Sequence, residues 1–336
     1  MVMKFLICGI GSIGQRHYRN LKSLGHELAL FRAGGGANKP FIDSFLSEEQ
    51  STGRPIKIYY DFEEAVNKFK PDAVFITNPN SMHMETALMA AKSGLNLFIE
   101  KPVAHSMDGL EELKSIMIKK NLKIMIGYNL RWHPLLKKMR LMVANGDIGQ
   151  PLSANIEMGE NIEDWHPWED YRKAYAAYKK GGGGAVLCFS HDIDYLYWFF
   201  GMPETVYAVG GKITPLSGDA EDMVKALLEY KNKFIVSLHL DYWQRPPRRL
   251  FEIIGTDGKI TWDYYLKSLT LTPRSNNIDP IVHTVSDAFD RNDMFIDEVK
   301  DYISALNNEG NVPVPLQEGV DVLEMSLAIK KQIEFI

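Results

Sequence analysis

The chain is poor in cysteine, with only Cys8 and Cys188 among 336 residues. Two thiols cannot build a disulfide framework, and their scarcity fits a reducing compartment, so a cytoplasmic location is expected. Positive charge is not in excess either. A net charge of −5 offers no basic field for nucleic acid or for an anionic membrane surface. No run of about 18 apolar residues is present, so no membrane-spanning helix is expected. The apolar stretch near residue 4 is short, lacks an A-x-A-like site and reads as a first strand, not a secretion leader. None of the nine histidines has a spacing such as H-x-x-x-H beside an acid, which argues against a bound metal. Repeats and low-complexity tracts are absent. The 45% hydrophobic content suffices for a sizeable core, and the length suits two domains.

Lys4-Phe5-Leu6-Ile7-Cys8 is an apolar run of strand length that leads straight into Gly9-Ile10-Gly11-Ser12-Ile13-Gly14. A G-x-G-x-x-G spacing alone is a weak sign in a chain with 26 glycines. Between a strand and an apolar-periodic segment it marks a dinucleotide-binding turn. Gly9 would allow the tight turn, Gly11 the approach of a pyrophosphate, and Gly14 close packing of helix on strand. The helix N-terminus at Ser12 and Ile13 would face the anion.

Residues 1–126 alternate strand-like segments (4–8, 27–31, 56–59, 73–76, 96–99, 123–126) with helix-like ones (12–24, 61–69, 82–92, 107–120). This pattern predicts an α/β Rossmann domain, a parallel sheet covered on both faces that binds its ligand beyond the carboxyl ends of its strands. Residues 33–54 read as a surface loop with room for a short helix. The loops after the strands therefore matter most. The second strand ends at Arg32, where an NAD site usually has an acid for the ribose 2′-hydroxyl. A guanidinium can pair with a 2′-phosphate, so NADP is favoured over NAD. A solvated loop arginine is the plain alternative. After the fourth strand come Asn78, Pro79 and His83, in a loop placed to meet the cofactor ribose. After the fifth come Glu100 and Lys101, a charged pair interrupting an apolar strand as it leaves the sheet, with Pro102 fixing the turn. Lys101 would point into the ligand crevice, although most lysines simply face water.

From 127 to 336 the texture changes. Strands at 151–159, 203–212, 222–230, 233–242, 248–254, 258–263 and 267–272 follow one another through short turns, which predicts a large, mostly antiparallel open sheet in a C-terminal α+β domain. Helices at 170–178, 187–200, 293–308 and 317–335 would cover it. Its remaining face needs a cover, for which a second subunit is suited. Before this sheet runs Tyr128-Asn129-Leu130-Arg131, and a stretch expected between the two sheets carries Trp165, His166, Tyr171 and Arg172. Aromatic faces suit sugar C–H surfaces, and Arg131 or Arg172 could bind a substrate carboxylate or phosphate. Each aromatic could equally be core. Four glycines, 181–184, then precede a helix carrying His191, Asp192 and Asp194. His191 and Asp194 lie three apart on one helical face, so Asp194 could orient His191 and raise its pKa. A lone helical histidine is otherwise more often structural.

Taken together, Gly9-x-Gly11-x-x-Gly14, Glu100-Lys101-Pro102 and Gly182-Gly183-Gly184 with His191-x-x-Asp194 resemble the glucose–fructose oxidoreductase / inositol dehydrogenase / MocA-type family, over nearly the whole chain. The resemblance implies an NAD(P)-dependent oxidoreductase that moves a hydride between the nicotinamide and a hydroxyl-bearing carbon of a sugar or cyclitol. It implies dimers or tetramers built through the C-terminal sheet. It also implies that His191 is the acid/base and that Lys101 polarises the reacting oxygen and relays its proton. Stretches 128–131, 165–172 and 190–195 resemble a branch associated with surface-polysaccharide sugars. The family carries an aspartate about four residues before its histidine. Cys188, three before His191, stands there instead, which leaves the substrate contact expected at Cys188 without a fixed anion. A non-catalytic, cofactor-binding sensor on the same fold is the alternative.

Overall fold

The computed structural model describes residues 1–32, 39–51, 56–166 and 168–333, and these divide into two compact units. Residues 1–128 and 295–320 form the first; residues 129–294 and 321–336 form the second.

The first unit follows a strand–helix alternation: β1 (Lys4–Cys8), α1 (Ser12–Ser23), β2 (Glu27–Phe31), α2 (Lys39–Ser51), β3 (Lys57–Tyr59), α3 (Phe62–Phe69), β4 (Ala73–Ile76), α4 (His83–Lys92), β5 (Asn96–Glu100), α5 (Leu110–Lys120) and β6 (Ile124–Gly127). All six strands are parallel, in the order β3-β2-β1-β4-β5-β6. Every residue of β4 and β6 is buried, as expected of strands covered on both faces. Cys8 belongs to this core, and burial pushes its thiol pKa far up. The order reverses between β1 and β4, which makes their carboxyl ends the ligand crevice of such a sheet.

One helix lies elsewhere than the sequence suggests. The segment expected at 293–308 to cover the second sheet is α9 (Arg291–Leu306). Its Phe295 and Tyr302 rings pack on the first sheet instead, beside His17, Phe75 and Phe98. The amphipathic period identifies a helix but not which of two apolar faces will receive it.

The second unit contains α6 (Pro134–Asn145), β7 (Pro151–Gly159), α7 (Ala185–Cys188), α8 (Ser190–Phe200), β8 (Thr205–Gly211), β9 (Met223–Glu229), β10 (Ile235–Asp241), β11 (Arg248–Gly255), β12 (Gly258–Asp263), β13 (Ser268–Pro273) and β14 (Ile281–Thr284). Residues 321–333 of α10 (Leu316–Ile333) complete it. The eight strands are ordered β14-β13-β12-β11-β7-β10-β9-β8. Every neighbouring pair is antiparallel except β7 with β10. Burial alternates along β9 and β12, so one face packs inward. On that face the α8 rings Tyr195 and Phe199 meet Phe251 of β11, and Tyr195 also meets Trp262 of β12. The other face leaves Tyr207, Leu227 and Ile235 exposed.

Three expectations for this unit need correction. No helix spans 170–178; the chain makes single 3₁₀ turns at Tyr171–Lys173, Tyr175–Ala177 and Lys179–Gly181. The Asp170 carboxylate takes the Arg172 backbone N–H at 3.1 Å, a local bond that competes with a continuous helix. The helix expected at 187–200 is broken at Phe189 into α7 and α8. Strand β14 is absent from the sequence reading because its four residues are mostly exposed and carry no alternation.

Candidate active site

The glycines of the first unit shape the turn after β1. Gly9 has φ 106°, and a Cβ there would lie 2.5 Å from the Asn78 backbone nitrogen. Only glycine lets the loops after β1 and β4 come this close. A Cβ at Gly14 would lie 2.1 Å from the Gly9 carbonyl oxygen. Thr77 Oγ1 donates to that same carbonyl at 2.7 Å. Gly11 differs: its Cβ position faces open space. Helix α1 starts there with no side-chain cap and no acid in its first turn. The first N–H groups of α1, around Ser12 and Ile13, are thus left for a ligand, and a diphosphate fits a cradle of this kind.

Around the turn, several residues expected to touch the cofactor also brace the protein. His17, on α1, sits 2.7 Å from Glu100 Oε1 in a buried pair. Glu100 therefore ties β5 to α1. The Asn78 side-chain amide donates to Thr86 Oγ1 at 2.9 Å. His83 is 1% exposed and has both ring nitrogens on backbone carbonyls. The expectation missed these roles because each partner lies on a different element. Pro79 is exposed beside this loop. Lys101 is half-buried directly after β5, where its backbone N–H donates to Glu100 Oε2 at 3.2 Å, and its peptide bond to Pro102 is cis. Arg32 is half-buried at the end of β2, its N–H bonded to the Tyr59 carbonyl at 3.0 Å. Residues 33–38, which follow it, lie outside the described residues, and the short helix allowed for in 33–54 is α2.

In the second unit the glycine run leads to His191. Gly184 has φ 105°, and a Cβ there would fall 2.2 Å from a carboxylate oxygen of Glu221. Glu221 is itself buried and paired with Lys330 of α10 at 2.7 Å. Glycine is therefore required where the chain enters α7. His191 is half-buried on α8, one and three residues before two fully buried aspartates, Asp192 and Asp194. Asp192 receives Arg249 Nε and Nη2, both at 3.1 Å, and the Tyr195 hydroxyl at 2.7 Å. Burial pushes the Asp192 carboxyl pKa up, against the pull of Arg249 and Tyr195. Asp194 receives Arg131 Nε at 3.0 Å and Nη2 at 2.7 Å. Asp194, expected to orient His191, and Arg131, expected to meet a substrate anion, pair with each other. The two ion pairs fasten the helix that presents His191.

Arg249 escaped the sequence reading, yet a signal was there. In Arg248-Arg249-Leu250-Phe251-Glu252-Ile253 the inward positions are Phe251 and Ile253, and counting back by two places Arg249 inward.

The remaining expected substrate contacts are spread over this unit and its border. Trp165 packs edge-on against Phe189 and Tyr242. Burial raises the Tyr242 hydroxyl pKa, with Cys188 beside it. His166 lies against Trp168, and burial lowers its pKa; Pro167, between them, lies outside the described residues. The Tyr171 hydroxyl accepts the Ser217 N–H at 3.2 Å, and Arg172 pairs with Asp170 at 2.8 Å. Tyr171 and Arg172 line a cavity of about 490 Å³ with Glu163, Glu169, Asp170 and Ser217. Tyr128 and Asn129 are buried. Among the described residues no group of His, Cys, Asp or Glu gathers as metal ligands, and no helix is long and apolar enough to cross a membrane.

Comparison with known proteins agrees with this geometry. Residues 3–128 match the profile of an oxidoreductase family with an NAD-binding Rossmann fold, and residues 136–261 match the GFO/IDH/MocA C-terminal domain. The oxidoreductase YrbE of Bacillus subtilis is 24% identical over 346 residues, spanning 98% of this chain and 94% of its own. The myo-inositol 2-dehydrogenase of Thermotoga maritima is 24% identical over 339 residues, spanning 99% and 96%. Among solved structures, levoglucosan dehydrogenase in complex with NADH and levoglucosan shares the fold, with a TM-score of 0.85 at 19% identity over 100% of this chain and 98% of its own. Two family domains in the expected order, carried on a glycine turn open to a diphosphate, lead to one conclusion: this chain belongs to the Gfo/Idh/MocA family of NAD-binding oxidoreductases.

Proposed function

We propose that the protein transfers a hydride between a nicotinamide cofactor and a ring CH–OH of a sugar or cyclitol, in the cytoplasm. The open α1 N-terminus at Gly11 is the observation that carries the cofactor half of this reading. The substrate half is supported by relatives and neighbours named for myo-inositol and levoglucosan, both ring polyols. Cofactor binding is assigned to residues 1–126. Substrate binding is assigned to residues 127–336, as is association into a dimer or tetramer through the sheet face bearing Tyr207, Leu227 and Ile235.

When bound, the nicotinamide supplies the hydride acceptor or donor. The chain supplies the rest. Lys101 polarises the reacting hydroxyl oxygen and relays its proton, and His191 is the general acid/base. Asp192 and Asp194 keep the His191 helix in place through Arg249 and Arg131. Trp165, His166, Tyr171 and Arg172 form the sugar-facing wall. The experiment is incubation with either nicotinamide nucleotide and a panel of cyclitols, free sugars and nucleotide sugars, following nicotinamide absorbance. Turnover with a ring polyol supports the reading. Tight nucleotide binding with no turnover on the whole panel favours the sensor, the reading that Cys188 in place of an aspartate would explain.

Arg32 carries the choice of nucleotide in this proposal. Its guanidinium pairs with a 2′-phosphate, so the protein prefers NADP. Arg32→Asp moves the preference to NAD, read as the ratio of the two dissociation constants, whereas an unchanged ratio removes Arg32 from nucleotide selection.

A further inference from the structure

His83 is the first residue of α4, the helix joining β4 to β5. Its ring is buried, with Nε2 2.9 Å from the Asn78 carbonyl oxygen and Nδ1 2.8 Å from the Pro102 carbonyl oxygen. Asn78 follows β4 and Pro102 follows β5, two strands paired side by side in the sheet. One side chain thus spans both loops at the carboxyl edge of the sheet, and one of its acceptors is the residue directly after Lys101.

We propose that His83 is a positioning residue that holds the Lys101–Pro102 turn against the Asn78 loop, and so sets where the Lys101 amine stands for proton transfer. The proposal rests on the reading of Lys101 as a catalytic group. Its chemistry is specific to imidazole. Both acceptors are carbonyls, so a neutral ring donates to one of them and only the imidazolium donates to both. Burial, the largest influence, lowers the ring pKa from its ordinary 6.5, and the Lys101 ammonium lowers it further; the two carbonyls and the Glu100 carboxylate work the other way. His17 of α1 faces the Glu100 carboxylate at 2.7 Å. The clamp therefore has one bond at neutral pH and gains the second only when the pH falls below the ordinary histidine range.

The test compares His83→Leu, His83→Gln and Lys101→Ala in the full chain, with turnover, KM, nucleotide affinity and melting temperature measured for each. His83→Leu is expected to lower kcat at least about tenfold, the scale of a misplaced catalytic group, while substrate KM and nucleotide affinity stay within about threefold. His83→Gln, which keeps two N–H donors on one amide, is expected to recover part of that loss. A kcat for His83→Leu within about twofold of wild type, beside a Lys101→Ala enzyme that is inactive, overturns the proposal. Should His83→Leu fail to fold, the pH profile of His83→Gln decides. The wild-type kcat is expected to change across the titration of the ring, followed by NMR of nitrogen-labelled histidine, and the Gln variant is expected to lack that change. Identical profiles overturn the clamp. A Lys101→Ala enzyme with full turnover removes the reading of Lys101 itself, and the NMR titration still reports whether the ring gains its second proton.

Discussion

Replacing Lys101 with alanine lowers turnover at least about a hundredfold, the usual scale for one acid/base group, and leaves nucleotide affinity within about threefold. The first half follows from chemistry. A carbinol gives up hydride readily only as its hydroxyl proton leaves, and the substitution removes the amine assigned to that oxygen. The second half follows from structure. The diphosphate cradle is made by Gly9, Gly11, Gly14 and the start of α1, none of which depends on the Lys101 side chain. The turn itself is held by the Glu100 carboxylate on the Lys101 backbone N–H and by His83 on Pro102, both of which survive the change. Steady-state kinetics with a responding polyol and nucleotide titration check the two halves separately. Turnover near wild type would exclude Lys101 from the chemistry.

The second large effect is on stability. Arg131→Met leaves the Asp194 carboxylate, which is 0% exposed, without its guanidinium. Removing one partner of a buried ion pair costs about 3–5 kcal/mol. For a unit of this size that is a fall of about 10 °C in melting temperature. The double variant Arg131→Met, Asp194→Leu removes both charges and is expected to regain most of the loss, since a buried pair replaced by apolar groups of similar volume is often neutral. The contrast matters because the sequence offers Arg131 to a substrate anion, whereas the structure pairs it with Asp194. A substrate clamp would raise KM with little thermal effect. The bidentate geometry on Asp194 predicts the reverse, a thermal effect first. A single variant that melts with wild type would show that the pair contributes nothing to the fold.

The first sheet was readable because each of its signals is local. Phe5 to Cys8 is a continuous apolar run, and the glycines follow it within six residues. The second sheet was readable for the same reason, through alternation along β9 to β13. What escaped depends on residues far apart in the chain. Glu100 meets His17 across 83 positions, and Arg249 meets Asp192 across 57. A spacing rule such as His191 to Asp194 finds neighbours on one helix, but a carboxylate takes its strongest donor wherever the fold brings one. In this protein that donor is Arg131, 63 positions earlier. The segment 171–181 failed differently. Its Asp170 cap, aromatic side chains and terminal glycines favour short turns over a helix, and periodicity has little to report in such a stretch.

The measurement that bears most directly on the whole account is a crystal structure of the protein with its nicotinamide nucleotide and a responding polyol. The account predicts the diphosphate on the N–H groups of α1 beside Gly11, and both the Lys101 amine and the His191 imidazole within hydrogen-bond reach, about 3 Å, of one substrate hydroxyl. A polyol bound with either group turned away from its reacting hydroxyl would contradict it.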